Sequence, residues 1–166
     1  MNEAQVLIIM GVSGSGKSVV GKALAEKLGW TFFDGDDYHP KLNVEKMSKG
    51  IPLNDDDRRP WLLTLHGLIQ KELESNQSAI LASSALKQSY RDLLKGKLEN
   101  VTFVYLKGSF DLILSRMKAR TDHFMKAGML KSQFATLEEP ADALTVSIDA
   151  SVPAIVQEII DKLNLS

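Results

Sequence analysis

Residues 11–18 read Gly-Val-Ser-Gly-Ser-Gly-Lys-Ser and follow directly on the apolar run 6–10. This octapeptide matches in full the phosphate-binding P-loop pattern, in which a glycine-rich turn joins a buried strand to a helix. Glycines let successive backbone N–H groups point inward, and the helix that follows adds the positive end of its dipole. The stretch therefore predicts a strand, a loop and a helix in that order, with a nucleotide as the ligand.

The polar positions of this loop have separate expected roles. We expect Lys17 to place its ammonium on the β- and γ-phosphates of ATP, and Ser18 to hold Mg²⁺ through its hydroxyl. The remaining contacts to the nucleotide are assigned to the other loop residues, namely Gly11, Ser13, Gly14, Ser15 and Gly16. The alternative is a chance Gly/Ser turn, and the fixed spacing between an apolar run and a helical pattern argues against it.

Size and composition limit the other possibilities. A chain of 166 residues suffices for one core, so a single domain over 1–166 is expected. Its 20 Lys and Arg and 21 Asp and Glu give a net charge of −1, so no global positive field favours nucleic acid or an anionic membrane. Cysteine is absent, which excludes disulfides and thiolate zinc sites. No apolar run approaches the ~20 residues that span a bilayer, and the first residues lack the basic segment of a signal peptide, so a cytoplasmic protein is expected.

Apolar runs alternate with longer amphipathic stretches along the chain. This is the pattern of a parallel sheet covered by helices on both faces, so it predicts a three-layer α/β/α fold. Five strands are expected, over 6–10, 31–34, 79–83, 101–106 and 145–148. Helices are expected over 16–28, 60–74, 86–95, 110 to about 126, and 152–163.

Two stretches, about 35–60 and about 120–140, do not follow this alternation. In open α/β sheets, ligands bind beyond the carboxyl ends of the strands, where such insertions collect. We expect the first stretch to be a substrate-binding insertion. The second contains Gly and Ser and is poorly periodic, which favours a mobile lid that excludes water when it closes over ATP.

The second predicted strand ends in the acidic sequence Asp34-Gly35-Asp36-Asp37. If the segment is extended, Asp34 and Asp36 face the same side and can both reach the mouth of the P-loop. Phosphoryl transfer gives a reason for two carboxylates. We assign Asp34 to Mg²⁺ and Asp36 to the acceptor hydroxyl, with the reverse assignment open. A solvated acidic turn is the structural alternative.

Basic residues follow at three places. Arg58 and Arg59 precede Pro60, which is expected at the first position of a helix, and Lys87 follows the predicted strand 79–83. Arginine can hold a carboxylate or phosphate with two parallel hydrogen bonds, so these residues are candidates for an anionic substrate. The alternatives are surface pairing of the arginines with residues 55–57, and a solvated lysine at a helix start.

The third basic region contains Arg116 and Arg120, which are four residues apart and share a helix face. Two cations on one face suit a lid helix over a triphosphate, with ordinary surface charge as the alternative. Residues 148–153 follow the last predicted strand and are candidates for backbone contacts to adenine, although Ser151 is equally suited to cap the last helix. The GTPase sequences Asp-x-x-Gly and Asn-Lys-x-Asp do not occur.

These strings together resemble the bacterial-type gluconokinases, relatives of shikimate kinase within the adenylate-kinase-like group. The resemblance covers almost the whole chain and rests on residues 11–18, 34–40, 46–53, 55–61, 84–87, 90–92, 106–109, 123–125 and 132–134. One departure is Ser83, where the family pattern has Cys; the change conserves size.

The resemblance implies ATP-dependent phosphorylation of D-gluconate at its terminal hydroxyl, by a cytoplasmic homodimer. It further implies that Arg116 packs near adenine opposite Pro153 and that Arg120 contacts the phosphates, and it makes His123 a candidate substrate contact. A kinase for another small acid or a nucleoside monophosphate is the nearest rival, since the scaffold alone does not fix the acceptor. An ATP-binding regulatory module is the rival from another functional class. Asp34, Asp36 and the lid cations argue against it, because ATP binding alone does not need them.

Overall fold

The computed structural model describes residues 3–118 and 127–165 of the chain. The elements at the amino-terminal end are β1 (Val6–Met10), α1 (Lys17–Leu28), β2 (Thr31–Asp34), a 3-10 helix (Gly35–Tyr38), α2 (Lys41–Ser48) and α3 (Asp55–Glu74). They are followed by β3 (Ala79–Ala82), α4 (Gln88–Lys95), β4 (Val101–Lys107), α5 (Phe110–Lys118), α6 (Ala127–Thr136), β5 (Leu144–Ser147) and α7 (Val152–Leu163).

The five strands form one parallel sheet in the order β2-β3-β1-β4-β5. All five predicted strands are present, with ends shifted by at most one residue. The strand before the P-loop is central because both of its neighbours pair with it along its length. β2 is separated from β1 by β3, so the acidic end of β2 reaches the P-loop across the end of β3.

Side chains of the central strand alternate between two cores, one on each face of the sheet. Leu7 and Ile9 pack with α1, α5 and α7, whereas Val6, Ile8 and Met10 pack with α3 and α4. A strand that is buried on both faces needs apolar residues at every position, which is why β1 has no polar residue. The predicted three-layer α/β/α arrangement is therefore confirmed. Among the described helices, none is long and apolar enough to cross a membrane.

Several predicted helix ends are also confirmed. Gly29 ends α1 in the left-handed conformation at φ 73°, which glycine adopts without strain. Ser109 accepts a hydrogen bond from the Leu112 N–H at 3.1 Å at the start of α5. Ser151 caps α7 in the same way, through the Ala154 N–H at 3.3 Å.

The prediction that Pro60 begins a helix is wrong. α3 begins at Asp55, because Asn54 and Asp57 form a reciprocal capping box in which each side chain accepts from the other's backbone N–H. Two satisfied N–H groups outweigh the preference of proline for the first position. Arg58 therefore lies within the helix rather than before it.

The two stretches expected to be irregular contain helices. Residues 35–60 include the 3-10 helix, α2 and the start of α3, and residues 127–136 form α6. α6 is ordered by packing, since Leu130 is fully buried and Phe134 meets Phe110 edge to face at 5.7 Å. The predicted continuation of α5 to about residue 126 lies outside the described residues.

Candidate active site

The P-loop curls at the carboxyl end of β1, as its sequence requires. Gly16 caps α1 at φ 95° and Gly14 has φ 81°, both in the region that favours glycine. A Cβ at Gly14 would lie 2.8 Å from Cγ of Met117, so the close approach of α5 also needs glycine there. The loop therefore presents its backbone N–H groups and the start of α1 to one side of the cleft.

Lys17 folds back over this loop, where its Nζ donates to the Val12 carbonyl at 3.1 Å. The residue as a whole is partly exposed, but the ammonium is enclosed, and this burial lowers the pKa of Lys17 to about 8. The carboxylates of Asp36 and Asp34 act in the opposite direction and favour the charged form. A desolvated ammonium of this kind gains most from an anionic ligand, because a phosphate replaces the solvation it lacks.

Ser18 and Asp34, the two predicted magnesium ligands, lie in direct contact. The Ser18 hydroxyl donates to Oδ2 of Asp34 at 3.1 Å, and the Asp36 N–H donates to Oδ1 of the same carboxylate at 3.0 Å. Asp34 thereby caps the 3-10 helix. The expectation of an extended segment from residue 34 to 36 is wrong, because this cap turns the chain immediately after β2. The two aspartates nevertheless stay on the same side of the cleft.

The residue Asp36 is exposed at the mouth of the cleft, but protein atoms surround its carboxyl group, which also interacts with the charge of Lys17. Its pKa is raised, first because the surrounding protein removes water from the carboxyl group and second because Asp34 is negatively charged. Lys17 and His39 oppose the rise. An accessible carboxylate with a raised pKa beside the P-loop lysine is suited to accept a proton.

A cavity of about 300 Å³ lies on the other side of the P-loop. Its lining includes residues 14–16 of the loop, Arg116 and Met117 of α5, and residues 150–152. The Arg116 guanidinium is held in place by donating to the Ile148 carbonyl at 2.7 Å. Ser151 and Val152 line the cavity, while Pro153 in the next position is exposed. The cavity continues from the phosphate loop, as an adenosine site must.

A second cavity, of about 460 Å³, collects candidates for the anionic end of a substrate. Arg58 and Lys87 both line it, together with Asp55. The Arg58 Nη1 donates to the Tyr90 hydroxyl at 2.9 Å, and that hydroxyl donates to Asp55 at 2.6 Å. Lys87 pairs with the same aspartate at 3.2 Å. The structure thus groups Arg58 with Lys87, whereas Arg59 is exposed and is not part of the cavity lining.

Sequence reasoning missed Gln133 of α6. Its Oε1 accepts from the Ser13 N–H at 2.6 Å and its Nε2 donates to the Ser13 hydroxyl at 2.9 Å. This side chain joins α6 to the P-loop. The sequence feature that could have identified Gln133 was the motif 132–134, to which no role had been assigned. Tyr90 was missed in the same way. Arg120 and His123 lie outside the described residues.

Among residues 3–118 and 127–165, no cluster of three His, Asp or Glu side chains is arranged to hold a metal ion. Mg²⁺ in phosphoryl-transfer sites is bound by one or two protein oxygens together with phosphates and water. The Ser18 and Asp34 oxygens fit that donor set.

Known proteins resemble this chain over nearly its full length. The sequence model of the shikimate kinase family matches residues 13–164. The thermoresistant gluconokinase of Escherichia coli K12 is 46% identical over 164 residues, which cover 96% of this chain and 94% of that protein. The gluconokinase of Gluconobacter oxydans 621H is 43% identical, with 93% of this chain and 88% of that protein covered.

Solved structures agree with these relatives. A gluconokinase from Sinorhizobium meliloti 1021 superposes with a TM-score of 0.87 at 41% identity, covering 99% of this chain and 94% of that one. The shikimate kinase of Aquifex aeolicus shares the fold at a TM-score of 0.60 and 18% identity. This chain belongs to the shikimate kinase family and, within it, to the gluconokinases.

Proposed function

We propose that this protein transfers the γ-phosphoryl group of ATP to the terminal hydroxyl of D-gluconate, giving 6-phospho-D-gluconate and ADP. The observation that carries the assignment is identity above 40% to gluconokinases over more than nine-tenths of the chain. The geometry supports it independently, because the cleft has a phosphate loop, an accessible carboxylate and a separate cavity whose lining includes Arg58 and Lys87. A sugar acid has a primary alcohol for the carboxylate and an anionic end for the cations.

In this mechanism Asp36 accepts a hydrogen bond, and finally the proton, from the terminal hydroxyl of gluconate. The hydroxyl oxygen forms a bond to the γ-phosphorus while the bond from that phosphorus to the β–γ bridging oxygen breaks, and ADP leaves. Lys17 neutralises charge on the transferred group, aided by Arg120. Mg²⁺, when bound at Ser18 and Asp34, supplies further neutralisation of the phosphate charge.

The remaining assignments belong to the same proposal. The P-loop residues Gly11, Ser13, Gly14, Ser15 and Gly16 surround the phosphates, while Arg116 and the turn before Pro153 flank adenine. Arg58 and Lys87 receive the gluconate carboxylate, with Arg59 and His123 as further candidate contacts. The cytoplasmic location and the homodimer remain predictions. Light scattering after size-exclusion chromatography tests whether the protein is a dimer.

A coupled assay of ADP release tests the function. Gluconate, other aldonates, shikimate and nucleoside monophosphates are supplied in turn with ATP and Mg²⁺, and the product is identified by ³¹P and ¹³C NMR. We expect gluconate to give the highest kcat/KM and a phosphate ester at carbon 6. ATP consumption that no sugar acid increases would instead support an ATP-binding regulatory module, and preference for shikimate would reassign the acceptor.

A further inference from the structure

His39 has a fixed position at the end of the 3-10 helix. Its ring stacks on Trp61, with ring centroids 4.1 Å apart and an angle of 17° between the planes. Trp61 is itself buried and donates from Nε1 to the Gly35 carbonyl at 2.7 Å. One face of the imidazole is therefore covered by a side chain that cannot move independently of the loop carrying Asp36.

A buried amide determines which nitrogen of His39 carries the proton. Asn43 is 1% exposed, and its Nδ2 donates to the Asp57 carbonyl at 2.8 Å. A backbone carbonyl only accepts, so the amide cannot be turned the other way without bringing two oxygens together. The same Nδ2 lies 3.2 Å from Nδ1 of His39. Its second hydrogen points to Nδ1, which must then be the acceptor, and the proton of the neutral ring is on Nε2.

The surroundings keep this ring neutral. Burial is the largest cause of a lowered pKa for His39, Arg58 acts in the same direction, and only Asp36 opposes them. Protonation would also place a hydrogen on Nδ1 against the Asn43 amide. The ring is therefore a neutral imidazole with a single N–H.

That N–H is available to a ligand. Within the described part of the chain, Nε2 forms no hydrogen bond, and the nitrogen is not among the buried polar atoms that lack a partner. His39 follows Asp36 by three residues at the end of the 3-10 helix, and the Trp61 ring on which it stacks lies three residues after Arg58 in α3. Asp36 and Arg58 are assigned to opposite ends of the acceptor, its terminal hydroxyl and its carboxylate, so the imidazole is held by the same two elements that carry the residues for both ends.

We propose that the Nε2–H of neutral His39 donates a hydrogen bond to a mid-chain hydroxyl oxygen of the acceptor and thereby selects polyhydroxylated acids. This inference rests on the proposed function, because it takes the two ends of the acceptor from that mechanism. It assigns to the His39–Asn43–Trp61 group a role in acceptor specificity that is separate from phosphate binding.

The first test observes the tautomer without any substrate. Imidazole ¹⁵N shifts of the full chain at neutral pH distinguish a protonated from an unprotonated ring nitrogen, and a His39→Gln variant identifies the signals of His39. We expect a protonated Nε2 and an unprotonated Nδ1. A ring protonated on Nδ1, or on both nitrogens, would overturn the proposal whatever the enzyme phosphorylates.

The second test compares gluconate with analogues that each lack one mid-chain hydroxyl. Wild-type enzyme should prefer gluconate over one of them by about tenfold in kcat/KM, the value of a neutral hydrogen bond. His39→Phe retains an aromatic ring on Trp61 but has no donor, so it should lose that preference, mainly through KM for gluconate. His66→Phe removes a remote imidazole that contacts the Leu94 carbonyl at 2.9 Å, and should keep the preference.

The outcomes separate the two proposals. If gluconate is phosphorylated but His39→Phe, shown to be folded by thermal melting, discriminates among the analogues as wild type does, the role of His39 is refuted and the function stands. If gluconate is not phosphorylated at all, the function itself fails.

Discussion

On the nucleotide side of the cleft, eight contiguous residues present backbone N–H groups at the end of one strand, whereas the acceptor side is assembled from side chains that lie far apart in the chain. Asp55, Arg58 and Tyr90 meet across 32 to 35 positions of sequence. The nucleotide side depends on glycine conformations and on one buried ammonium. The acceptor side depends on a network of hydrogen bonds in which each side chain positions its neighbour.

This difference predicts different responses to substitution. Backbone donors survive most changes of side chain, so damage on the nucleotide side should concentrate at Lys17 and at glycines with positive φ. On the acceptor side each side chain carries its own hydrogen bonds, and single replacements should have graded effects on acceptor affinity.

Lys17→Met should lower kcat by about 10³-fold or more, because it removes the positive charge that is enclosed next to the transferred phosphoryl group. The measurement is steady-state kinetics with gluconate and ATP, accompanied by circular dichroism. Rates close to those of wild type in a folded variant would contradict the assigned role.

The same variant also tests the burial of the ammonium through the pH dependence of stability. The pKa of Lys17 is lowered from 10.5 to about 8 in the folded protein. Between these pH values the unfolded chain binds more protons, so the free energy of unfolding should receive a contribution that increases with pH from about 8 to about 10.5. Urea titrations across this range should show that contribution in wild type and not in Lys17→Met.

Asp36→Asn should lower kcat by about 10²-fold or more and change KM for ATP little, since the amide cannot accept the hydroxyl proton. The neighbouring Asp37→Asn is the matched control, because it removes the same charge from an adjacent exposed position. In wild type, the raised pKa of Asp36 in the free enzyme should place the acidic limb of the kcat/KM profile above the ordinary aspartate pKa of 3.8. Equal losses in the two variants would indicate a general charge effect instead.

Arg58→Met should raise KM for gluconate by about 10- to 100-fold, the value of hydrogen bonds to a charged group. Arg59→Met provides the comparison, since Arg59 is exposed beside it and does not line the cavity that contains Arg58 and Lys87. KM for ATP should be nearly unchanged in both variants. A larger effect at Arg59 would reverse the assignment of the carboxylate contact.

The sequence predicted the nucleotide side well because its signal is local. Eight consecutive residues specify the P-loop, and strand order brings Asp34 to Ser18 even though the expected backbone path between Asp34 and Asp36 was wrong. An aspartate side chain that captures the N–H two residues later turns the chain, and alternation along a strand does not describe that competition.

For the acceptor side, the sequence predicted which residues were candidates but not how they contact one another. Arg58 and Lys87 were candidates, but their contacts with Asp55 and Tyr90 depend on where α3 begins. The start of α3 at Asp55 was not predicted, because Pro60 was expected at the first position of the helix. Likewise α6 was missed because packing of Leu130 and Phe134 determines it more than periodicity does. Contacts between elements that are far apart in the sequence cannot be located until the three-dimensional fold is known.

Gln133→Ala should have the smallest effect, because it removes two neutral hydrogen bonds that join α6 to Ser13 of the P-loop. We expect KM for ATP to rise about three- to tenfold with little change in KM for gluconate. Ser13→Ala keeps the backbone donor and loses only the hydroxyl, so a double-mutant cycle should show that the two losses are not additive. Ser132→Ala, at an exposed position on the same helix, is the control for helix stability. Additive losses would mean that Gln133 and Ser13 act separately, and a rise in KM for gluconate instead of ATP would mean that α6 serves the acceptor side, so that the contrast between the two sides of the cleft would no longer hold.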